Sequence, residues 1–414
     1  MKVVVIGAGA AGMMAAIVAA KDKNDVTILE KTKSAGNKLK ITGKGRCNLT
    51  FDGDATTFEN NILKSSKFMR SSFYKFNNHN VINFFNDLGI DTKIERGGRV
   101  FPVCDDAKQV VKAMLQKLNK LNVKIKYDSS VSHIQIQDNK LTGVVLKNGD
   151  VINCDKCILA TGGKSYQVTG SNGDGYLIAQ KAGHKIIDVV GGLVPLKCYG
   201  SICKELQGLS LKNISLNLIE NNTKVLYNNF GELLFTHFGM SGPLILSASS
   251  KLNRIDNLKE KLSKKQIKAV IDLKPALDDN ILDKRICRDF EKYTNKEFKN
   301  SLDDLLPQKL IPVIIKLSGI DPAIKVNQIT KKQREKLVSL IKNFEIYIED
   351  IMPIDYAIIS CGGVDTKQID PKTMESKIVK GLYFAGEIID VDAYTGGFNL
   401  QIAFSTAYTA GKNK

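Results

Sequence analysis

The sequence is poor in the features that mark metal centres, membrane spans and secreted proteins. Its four histidines lie far apart, which argues against a metal site. No apolar run reaches the roughly 18 residues that a membrane span needs, because glycines or charges interrupt each candidate. The eight cysteines are scattered and we find no export signal, so we expect reduced thiols and a cytoplasmic protein.

The composition is that of a globular protein with a strongly basic charge. The 414 residues are 43% apolar and 25% charged, which is enough chain for two or three domains. The net charge is +17, and such a balance raises the question of nucleic acid or an anionic substrate. The lysines are spread along the chain without an RNA-binding motif, so we expect solvated faces and a small-molecule substrate rather than a nucleic-acid partner.

The first thirty residues carry the most specific pattern. An apolar run at 3–6 predicts a buried strand, and Gly7, Gly9 and Gly12 follow it as G-x-G-x-x-G. Gly7 suits a tight turn, Gly9 lets the backbone approach a pyrophosphate, and Gly12 lets helix and strand pack closely. The amides at the helix start, including those of Ala10 and Ala11, favour an anionic ligand.

The same stretch continues as a strand–helix–strand unit. An alanine-rich helix is predicted at 10–21 and a second strand at 26–29. Glu30 ends that strand, eighteen positions after Gly12, close to the spacing of the acid that binds a ribose in dinucleotide sites. We therefore expect a dinucleotide-binding domain here, with Lys31 beside the acid.

A polar, glycine-rich segment at 31–50 predicts a long loop over the ligand. Glycines there allow close backbone approach, and cations would lie near a pyrophosphate or a flavin ring. The loop residues in question are Lys38, Lys40, Thr42, Gly43, Lys44, Gly45 and Arg46. An ordinary basic surface loop is the alternative interpretation.

The next hundred residues predict helices at 58–88, a strand at 97–102 and a helix at 106–121 capped by Asp105. Alternating segments at 123–127, 131–136 and 141–146 predict an antiparallel meander that turns at Asn148-Gly149. Such a meander often contacts adenine through its backbone, which makes Val131 a candidate.

The segment CDKCILATGG at 154–163 predicts a buried strand and its exit turn. Thr161 and Gly162 would then lie at the carboxyl end of a parallel strand, where α/β sheets bind ligands. Cys154 and Cys157 have C-x-x-C spacing, but no second pair matches them, so we do not expect metal or disulfide chemistry. Asp174 is predicted to cap the helix that follows.

Short alternating strands from Val194 to about Leu246 predict a small β-barrel or sandwich, and a charge-rich helical module follows at 251–339. His237 lies in the barrel segment FTHFGMSGP, among hydroxyls and glycines. It is either a structural histidine or a site residue.

The last stretch returns to the pattern of the first. A strand at 382–385 ends at Gly386 and Glu387, and a helix follows Gly396 and Gly397. A carboxylate at a strand end can accept hydrogen bonds from ribityl hydroxyls. The helix-start residues Asn399, Leu400 and Gln401 can stabilise negative charge on the pyrimidine side of a reduced flavin.

These motifs together resemble the bacterial NAD(P)/FAD-dependent oxidoreductases of the aminoacetone oxidase-like and bile-acid-pathway type. The blocks that carry the resemblance cover nearly the whole chain, with KITGKGRCN and TGGFNLQ the most specific. They are GAGAAG at 7–12, KITGKGRCN at 40–48, RVFP at 99–102, ATGG at 160–163, FTHFGMSGP at 235–243 and AGEIIDVDAYTGGFNLQ at 385–401.

The resemblance implies an α/β fold: a Rossmann-type FAD-binding domain with an inserted β-barrel domain and a helical domain inserted in the barrel. The implied boundaries are 1–190, 191–250, 251–340, 341–358 and 359–414. The FAD contacts carry over to Gly7, Gly9, Gly12, Glu30, Lys38, Thr161, Gly162, Glu387, Asn399 and Gln401. Ala393 and Phe398 depart from the usual third motif, and we treat both as tolerated.

Three functions follow as hypotheses. The first is transfer of hydride from NADH or NADPH through FAD to a C=C bond conjugated to a ketone, as in a steroid-like enone. Arg46 or His237 would polarise the carbonyl, and Cys47 and Asn48 would line the ring. No second G-x-G-x-x-G is present, so the nicotinamide would bind transiently. The second is an amine or aminoketone oxidase that releases peroxide, and the third is an RNA-binding flavoprotein.

Overall fold

The computed structural model describes residues 1–412 and forms two compact units. The first unit contains Met1–Gly192 and the chain from Pro353 onward, and the second contains Leu193–Met352. Both ends of the described chain therefore belong to one unit. The predicted fold class is confirmed, since a Rossmann-type sheet and a closed barrel are both present.

The strands are β1 (Lys2–Ile6), β2 (Asp25–Leu29), β3 (Thr50–Phe51), β4 (Ile62–Lys64), β5 (Thr92–Glu95), β6 (Arg99–Pro102), β7 (Lys124–Lys126), β8 (Val131–Gln137), β9 (Lys140–Leu146), β10 (Val151–Asn153), β11 (Lys156–Leu159), β12 (Ile186–Gly192), β13 (Leu196–Cys198), β14 (Ser210–Glu220), β15 (Lys224–Phe235), β16 (Gly239–Ser241), β17 (Ile267–Asp272), β18 (Phe344–Ile351), β19 (Ile359–Val364), β20 (Leu382–Phe384) and β21 (Asp392–Ala393).

The helices are α1 (Ala10–Lys21), α2 (Asn37–Ile41), α3 (Ala55–Asn61), α4 (Ser66–Lys75), α5 (Asn78–Asn86), α6 (Ala107–Lys120), α7 (Asp174–Lys181), α8 (Ile202–Glu205), α9 (Pro243–Leu252), α10 (Leu258–Ser263), α11 (Asp279–Lys292), α12 (Ile311–Ser318), α13 (Lys331–Lys342) and α14 (Phe398–Gly411).

A parallel sheet of order β20-β11-β1-β2-β7 is the core of the first unit. Its central strand β1 is a continuous apolar run because both faces of a parallel sheet are covered. Helices α1 and α14 pack together: a Cβ on Gly411 would lie 2.6 Å from the Ala15 carbonyl oxygen. The small residues of both helices therefore allow the two chain ends to share one core.

Two features of this unit differ from the sequence predictions. Strand β7 pairs in parallel with β2, whereas we expected it in the antiparallel meander, which contains only β8, β9 and β10. Its apolar residue alternates with lysines because it is an edge strand, and that pattern also fits an antiparallel strand. The predicted loop at 31–50 contains α2 and a 3-10 turn at Thr42–Gly45.

Two helix caps also lie one residue away from their predicted positions. Asp106, not Asp105, accepts the capping hydrogen bond of α6 from the Lys108 amide. The cap of α7 is Gly173, and Asp174 is the first helical residue. Asp105 and Asp174 are instead ion-paired with basic side chains.

A closed barrel of order β13-β16-β15-β14-β17-β18 forms the second unit. We expected residues 251–340 to be helical, but Ile267–Asp272 forms β17 and pairs with β14 and β18. Lysines precede and follow this short strand, so its alternation of apolar residues is difficult to recognise in the sequence. Helices α11, α12 and α13 then lie between the last two barrel strands.

One buried carboxylate joins three elements of the barrel unit. Glu220 ends β14 and pairs with Lys261 of α10 at 2.8 Å and with Lys224 of β15 at 3.3 Å. Its side chain is 7% exposed. The hydrogen bond from Lys261 is the main reason that the pKa of Glu220 is lower than its ordinary value.

We predict that Glu220→Gln destabilises the protein by about 1–2 kcal/mol at neutral pH. Because the folded-state pKa is lowered, the carboxylate stabilises the fold above the unfolded-state pKa, and this stabilisation is lost as the pH falls through the folded-state value. Urea unfolding of both proteins at a series of pH values measures the difference. It should shrink in acid, and a difference that is constant with pH would contradict the prediction. Glu260→Gln, at an exposed pair with Lys264, is the matched control.

Candidate functional site

Four turns meet at the carboxyl edge of the parallel sheet. They follow β1, β2, β11 and β20, and they carry the predicted residues Gly7, Glu30, Thr161 and Glu387 respectively. Parallel strands end at the same edge, which is where open α/β sheets bind their ligands. The structure therefore brings the amino-terminal and carboxyl-terminal motifs to one edge.

The turn after β1 has the geometry of a phosphate-binding turn. Gly7 has φ +102° and donates its amide to the Leu29 carbonyl at 2.8 Å. A Cβ on Gly12 would lie 1.8 Å from the Gly7 oxygen, whereas a Cβ on Gly9 would meet no atom within 4 Å. Gly12 is thus required by packing, and Gly9 leaves open space in front of the helix.

Helix α1 begins at Ala10 with no side-chain cap and no acidic residue in its first turn. The amides of Ala10 and Ala11 have no acceptor within the helix, as at any helix start. A pyrophosphate would accept from such amides and be stabilised by the helix dipole. The open space and these donors fit the diphosphate of FAD.

Glu30 is buried and bonded to the backbone around it. One carboxylate oxygen accepts from the Ala8 amide at 2.8 Å, and the other accepts from the amide and hydroxyl of Thr32 at 2.8 and 2.7 Å. Glu30 therefore fixes the turn after β1 relative to the loop after β2. The predicted contact of Glu30 with a ribose stays a prediction. The Ser129 amide donates to the Glu30 carbonyl, and Val131, two residues further on, begins β8. The predicted contact of Val131 with adenine also stays a prediction.

Lys31 points to the turn before α7. Its ammonium group donates to Asn172 and pairs with Asp174 at 3.0 Å. The predicted cofactor contact of Lys31 thus competes with two partners within the protein. Lys31 and Asp174 join the loop after β2 to the start of α7.

A charged cluster lies where β11 and β20 end. Lys38 of α2 donates to Glu387 Oε2 at 2.7 Å and to Ser165 Oγ at 2.7 Å. The Ser360 amide donates to Glu387 Oε1 at 2.7 Å. The Ser360 hydroxyl in turn accepts from the amides of Lys164 and Ser165 at 2.7 and 3.2 Å. One network therefore fixes the position of the Glu387 carboxylate.

The exit turn of β11 is held closely between this cluster and α7. A Cβ on Gly163 would lie 2.3 Å from Ser360 Oγ, and a Cβ on Gly175 would lie 1.8 Å from Thr161 Oγ1. Gly162 has φ +72°. The Thr161 hydroxyl thus faces α7, so a contact of Thr161 with a cofactor would use its backbone.

Arg46 is not a free cation. Its guanidinium pairs with Asp105 at 2.6 Å and with Glu95, and it stacks on the Phe101 ring at 4.3 Å. The hydrogen bond with Glu95 is the main reason that the pKa of Arg46 is raised. Arg46 is therefore held by two carboxylates, and its predicted place beside the cofactor stays a prediction.

Arg46 directly follows the 3-10 turn at Thr42–Gly45. Gly43 has φ +57° and no room for a side chain beside the Asn48 amide, where a Cβ would lie 3.1 Å away. The Thr42 hydroxyl donates to the Leu39 carbonyl at 2.7 Å. Thr42 and Gly43 thus shape the turn, and their cofactor contacts stay predictions.

Cys47 is fully buried, and burial raises the pKa of its thiol to about 12. The thiol is therefore protonated at neutral pH, and it does not line an open ring pocket as we expected. Asn48, with its amide oriented to suit its neighbours, donates to the Val100 and Thr50 carbonyls and accepts from the Gly397 amide. Asn48 thus joins the loop to the start of α14.

The start of α14 is held in place by side chains. Asn399 accepts from the Ala393 amide at 3.0 Å and donates to the Ala393 and Tyr394 carbonyls. The first-turn amides, including those of Asn399 and Leu400, have no acceptor within the helix. Gly386 precedes this segment with φ +78° and donates its amide to Thr406 Oγ1.

Gln401 does not have a polar group free for a ligand. The backbone amide of Gln401 donates to the Gly397 carbonyl. The side-chain oxygen accepts from the Thr50 hydroxyl at 2.5 Å, and the side-chain nitrogen donates to the Phe76 carbonyl and the Ser405 hydroxyl. The side chain is 0% exposed. We correct its predicted role from cofactor ligand to a residue that positions α14.

His237 belongs to the barrel unit. It is exposed in the turn between β15 and β16, and its ring meets Phe238 edge to face at a centroid distance of 4.9 Å. The turn is closed by the Thr236 amide, which donates to the Gly239 carbonyl at 2.8 Å. A role for His237 in the reaction stays a prediction.

Sequence reasoning missed Ser165 and Ser360. The Ser165 hydroxyl and the Ser360 backbone amide both donate to Glu387 Oε1, and the Ser360 hydroxyl accepts from the Lys164 and Ser165 amides. Ser165 lies shortly after the two glycines at the exit of β11, and a hydroxyl so close to a strand end could have indicated a site residue. Ser360 lies inside β19, where the sequence gives no sign of a polar role.

Within residues 1–412, no group of three or more His, Cys, Asp or Glu side chains is placed to hold a metal ion. The part of the chain that the structure describes contains no helix long and apolar enough to cross a membrane. Cys154 and Cys157 are both buried, and neither is in a disulfide.

The family model described as HI0933-like protein Rossmann domain matches residues 1–413. Two bacterial relatives are similar over almost their whole length. The 3-dehydro-bile acid delta(4,6)-reductase of Clostridium scindens is 32% identical over 99% of this chain and 97% of its own. The ribosomal RNA dihydrouridine synthase of Escherichia coli is 30% identical over 99% of this chain and 97% of its own.

A second ribosomal RNA dihydrouridine synthase, from Haemophilus influenzae, is 32% identical over 98% of this chain and 96% of its own. Among solved structures, the 3-ketosteroid delta1-dehydrogenase of Sterolibacterium denitrificans has a TM-score of 0.51 at 11% identity, covering 99% of this chain and 98% of that one. This structural likeness shows the fold.

We predict that Gly9→Ala weakens FAD binding by about tenfold or more, because the methyl group occupies the space that a pyrophosphate would enter. The free energy of unfolding of the FAD-stripped protein should stay within about 0.5 kcal/mol of the wild-type value. FAD titration and urea unfolding measure the two quantities. Gly12→Ala, whose Cβ meets the Gly7 oxygen, should instead lower stability. A Gly9→Ala protein that binds FAD as tightly as wild type would contradict the assignment.

We predict that Lys38 and Glu387 are coupled by about 1–2 kcal/mol, since their side chains are each 21% exposed. Lys38→Met should destabilise the protein because it leaves the carboxylate without its cation. Adding Glu387→Gln should restore part of that loss. Urea unfolding of the wild type, both single variants and the double variant gives the coupling, and additive losses would show that the pair is not coupled.

Proposed function

The chain belongs to the HI0933-like Rossmann family and is an FAD-dependent oxidoreductase, and from this premise we propose that it reduces a C=C bond conjugated to a carbonyl. We propose NADH or NADPH as the transient electron donor and the cytoplasm as the place of action. When bound, FAD supplies hydride transfer at its N5 atom. The protein supplies binding, orientation and charge stabilisation.

The observation that carries the proposal is the shared edge of the parallel sheet. The open space at Gly9 and the amides of α1 would hold the pyrophosphate, and the Glu387 carboxylate would accept from the ribityl chain. The start of α14, with the amides of Asn399 and Leu400, would stabilise negative charge on the pyrimidine side of the flavin. Asn48 and Gln401 would keep that helix start in position.

A steroid-like enone is the first candidate substrate. It is supported by the similarity to the bile-acid reductase of Clostridium scindens over 99% of the chain. Arg46 is the candidate for polarising the enone carbonyl from the first unit, and its two carboxylate partners would keep the guanidinium in a fixed orientation. His237 is the candidate from the barrel unit.

A uridine within ribosomal RNA is the second candidate. It is supported by the two dihydrouridine synthases and by the net charge of +17. The C5=C6 bond of uracil is conjugated to a carbonyl, so the same reaction class would serve both substrates. An RNA substrate also requires a basic surface that contacts phosphates.

We predict that anaerobic mixing with NADH or NADPH bleaches the flavin absorption at about 450 nm. Adding the substrate should then restore the oxidised spectrum and consume the double bond. A steroid 4-en-3-one and a ribosomal RNA transcript are tested in parallel, with loss of enone absorbance and gain of two hydrogens in uridine as readouts.

Two results would overturn the proposal. A flavin that neither nicotinamide reduces, but that an amine reduces and oxygen reoxidises with release of peroxide, would identify an amine oxidase. A flavin that is reduced by nicotinamide but transfers hydride to neither substrate would remove the proposed acceptors.

A further inference from the structure

Helix α6 has an exposed face that carries lysines and no carboxylate. Residues 107–127 contain six lysines and no aspartate or glutamate. Lys108, Lys112 and Lys120 are exposed, while the opposite face of the helix is buried in the core of the first unit. We call this exposed face, together with Lys40, the α6 surface.

The lysines of the α6 surface have no carboxylate partner among the described residues. Within residues 1–412, Lys40 makes one polar contact, a long one to Asn37 Oδ1 at 3.4 Å. Helix α13 differs, because Arg334 pairs with Asp283, Lys342 with Asp272 and Lys331 with Glu335. The positive charge of the α6 surface is therefore not neutralised within the protein.

A groove of about 450 Å³ lies along this surface. Lys40, Lys108 and Lys112 line it together with Val111 and Leu115. It therefore offers cations and an apolar floor side by side. Phosphates match the lysines, and ribose or base faces match the floor, so a nucleic-acid strand has the complementary chemistry.

The α6 surface is connected to the candidate site through α2. Helix α6 packs on α2, since a Cβ on Gly36 would lie 2.8 Å from Val111 side-chain atoms. The same short helix carries Lys40 in the groove and Lys38, which pairs with Glu387 at the sheet edge. A strand that lies in the groove would thus reach the helix that contacts the site.

We infer that the α6 surface binds the phosphate backbone of the RNA whose uridine the enzyme reduces. The inference rests on the second proposed substrate. Lys108 and Lys112 are four residues apart, which is about 6 Å along a helix axis, so the two ammonium groups can contact neighbouring phosphates. An anionic membrane fits less well, because the exposed polar residues between the lysines are Gln109, Gln116 and Asn119, with no large apolar side chain to insert.

The test compares two charge reversals of equal size in the FAD-loaded protein. Lys108→Glu/Lys112→Glu changes the α6 surface, and Lys332→Glu/Lys336→Glu changes two exposed lysines at the same spacing on α13. The probe is a fluorescently labelled ribosomal RNA hairpin with a uridine in its loop, and anisotropy is measured over a series of salt concentrations. The flavin spectrum and its reduction by nicotinamide show that each variant is intact.

We predict that the α6 variant binds the hairpin at least about tenfold more weakly and lowers the slope of log K against log salt by about 1.5, as expected for the loss of two phosphate contacts. The α13 variant should bind nearly as the wild type does. Equal losses in the two variants, or no loss in the α6 variant, would overturn the inference.

Further outcomes separate this inference from the proposed function. A wild-type enzyme that reduces the enone but binds no RNA would overturn the inference and leave the first substrate standing. RNA that is bound and reduced equally well by the α6 variant would leave the function standing and assign RNA binding to another surface. Binding to phosphatidylserine vesicles but not to RNA would identify a membrane surface and overturn the inference.

Discussion

The ion pair of Lys38 with Glu387 joins two segments that are 349 residues apart. It depends on the parallel pairing of β20 with β11, which places the carboxyl-terminal strand beside the amino-terminal sheet. A charge pair that is only partly exposed needs further hydrogen bonds to offset its desolvation, and Ser165 and Ser360 supply them. Much of the geometry of the candidate site follows from this junction.

Several side chains that the sequence predicts as cofactor ligands also hold other parts of the protein in place. The Glu30 carboxylate accepts hydrogen bonds from the backbone of two turns. The side-chain amide of Gln401 donates to the Phe76 carbonyl and the Ser405 hydroxyl. Asn48 occupies the Gly397 amide and fixes the helix start behind it. The groups left for the cofactor are then mainly backbone amides, which a rigid frame presents at fixed positions.

The sequence predicts the βαβ unit well because its signals are local. The strand at β1, the glycines and the helix α1 each follow from backbone geometry within a few residues. The burial of Cys47 and the bonding of Gln401 depend on segments far away in sequence, so no local pattern indicates them. Strand β17 is not predicted for a related reason. Its strand conformation depends on pairing with β14 and β18, whereas the lysines beside it are typical of a charged helical segment.

The central claim is that both ends of the chain hold one flavin. It is tested most directly by hydrogen exchange of the FAD-stripped protein during titration with FAD. The account predicts that amides in residues 7–12 and 386–400 become protected together and reach their limit at one equivalent of FAD. Protection at only one of these segments, or no uptake of FAD, would contradict it.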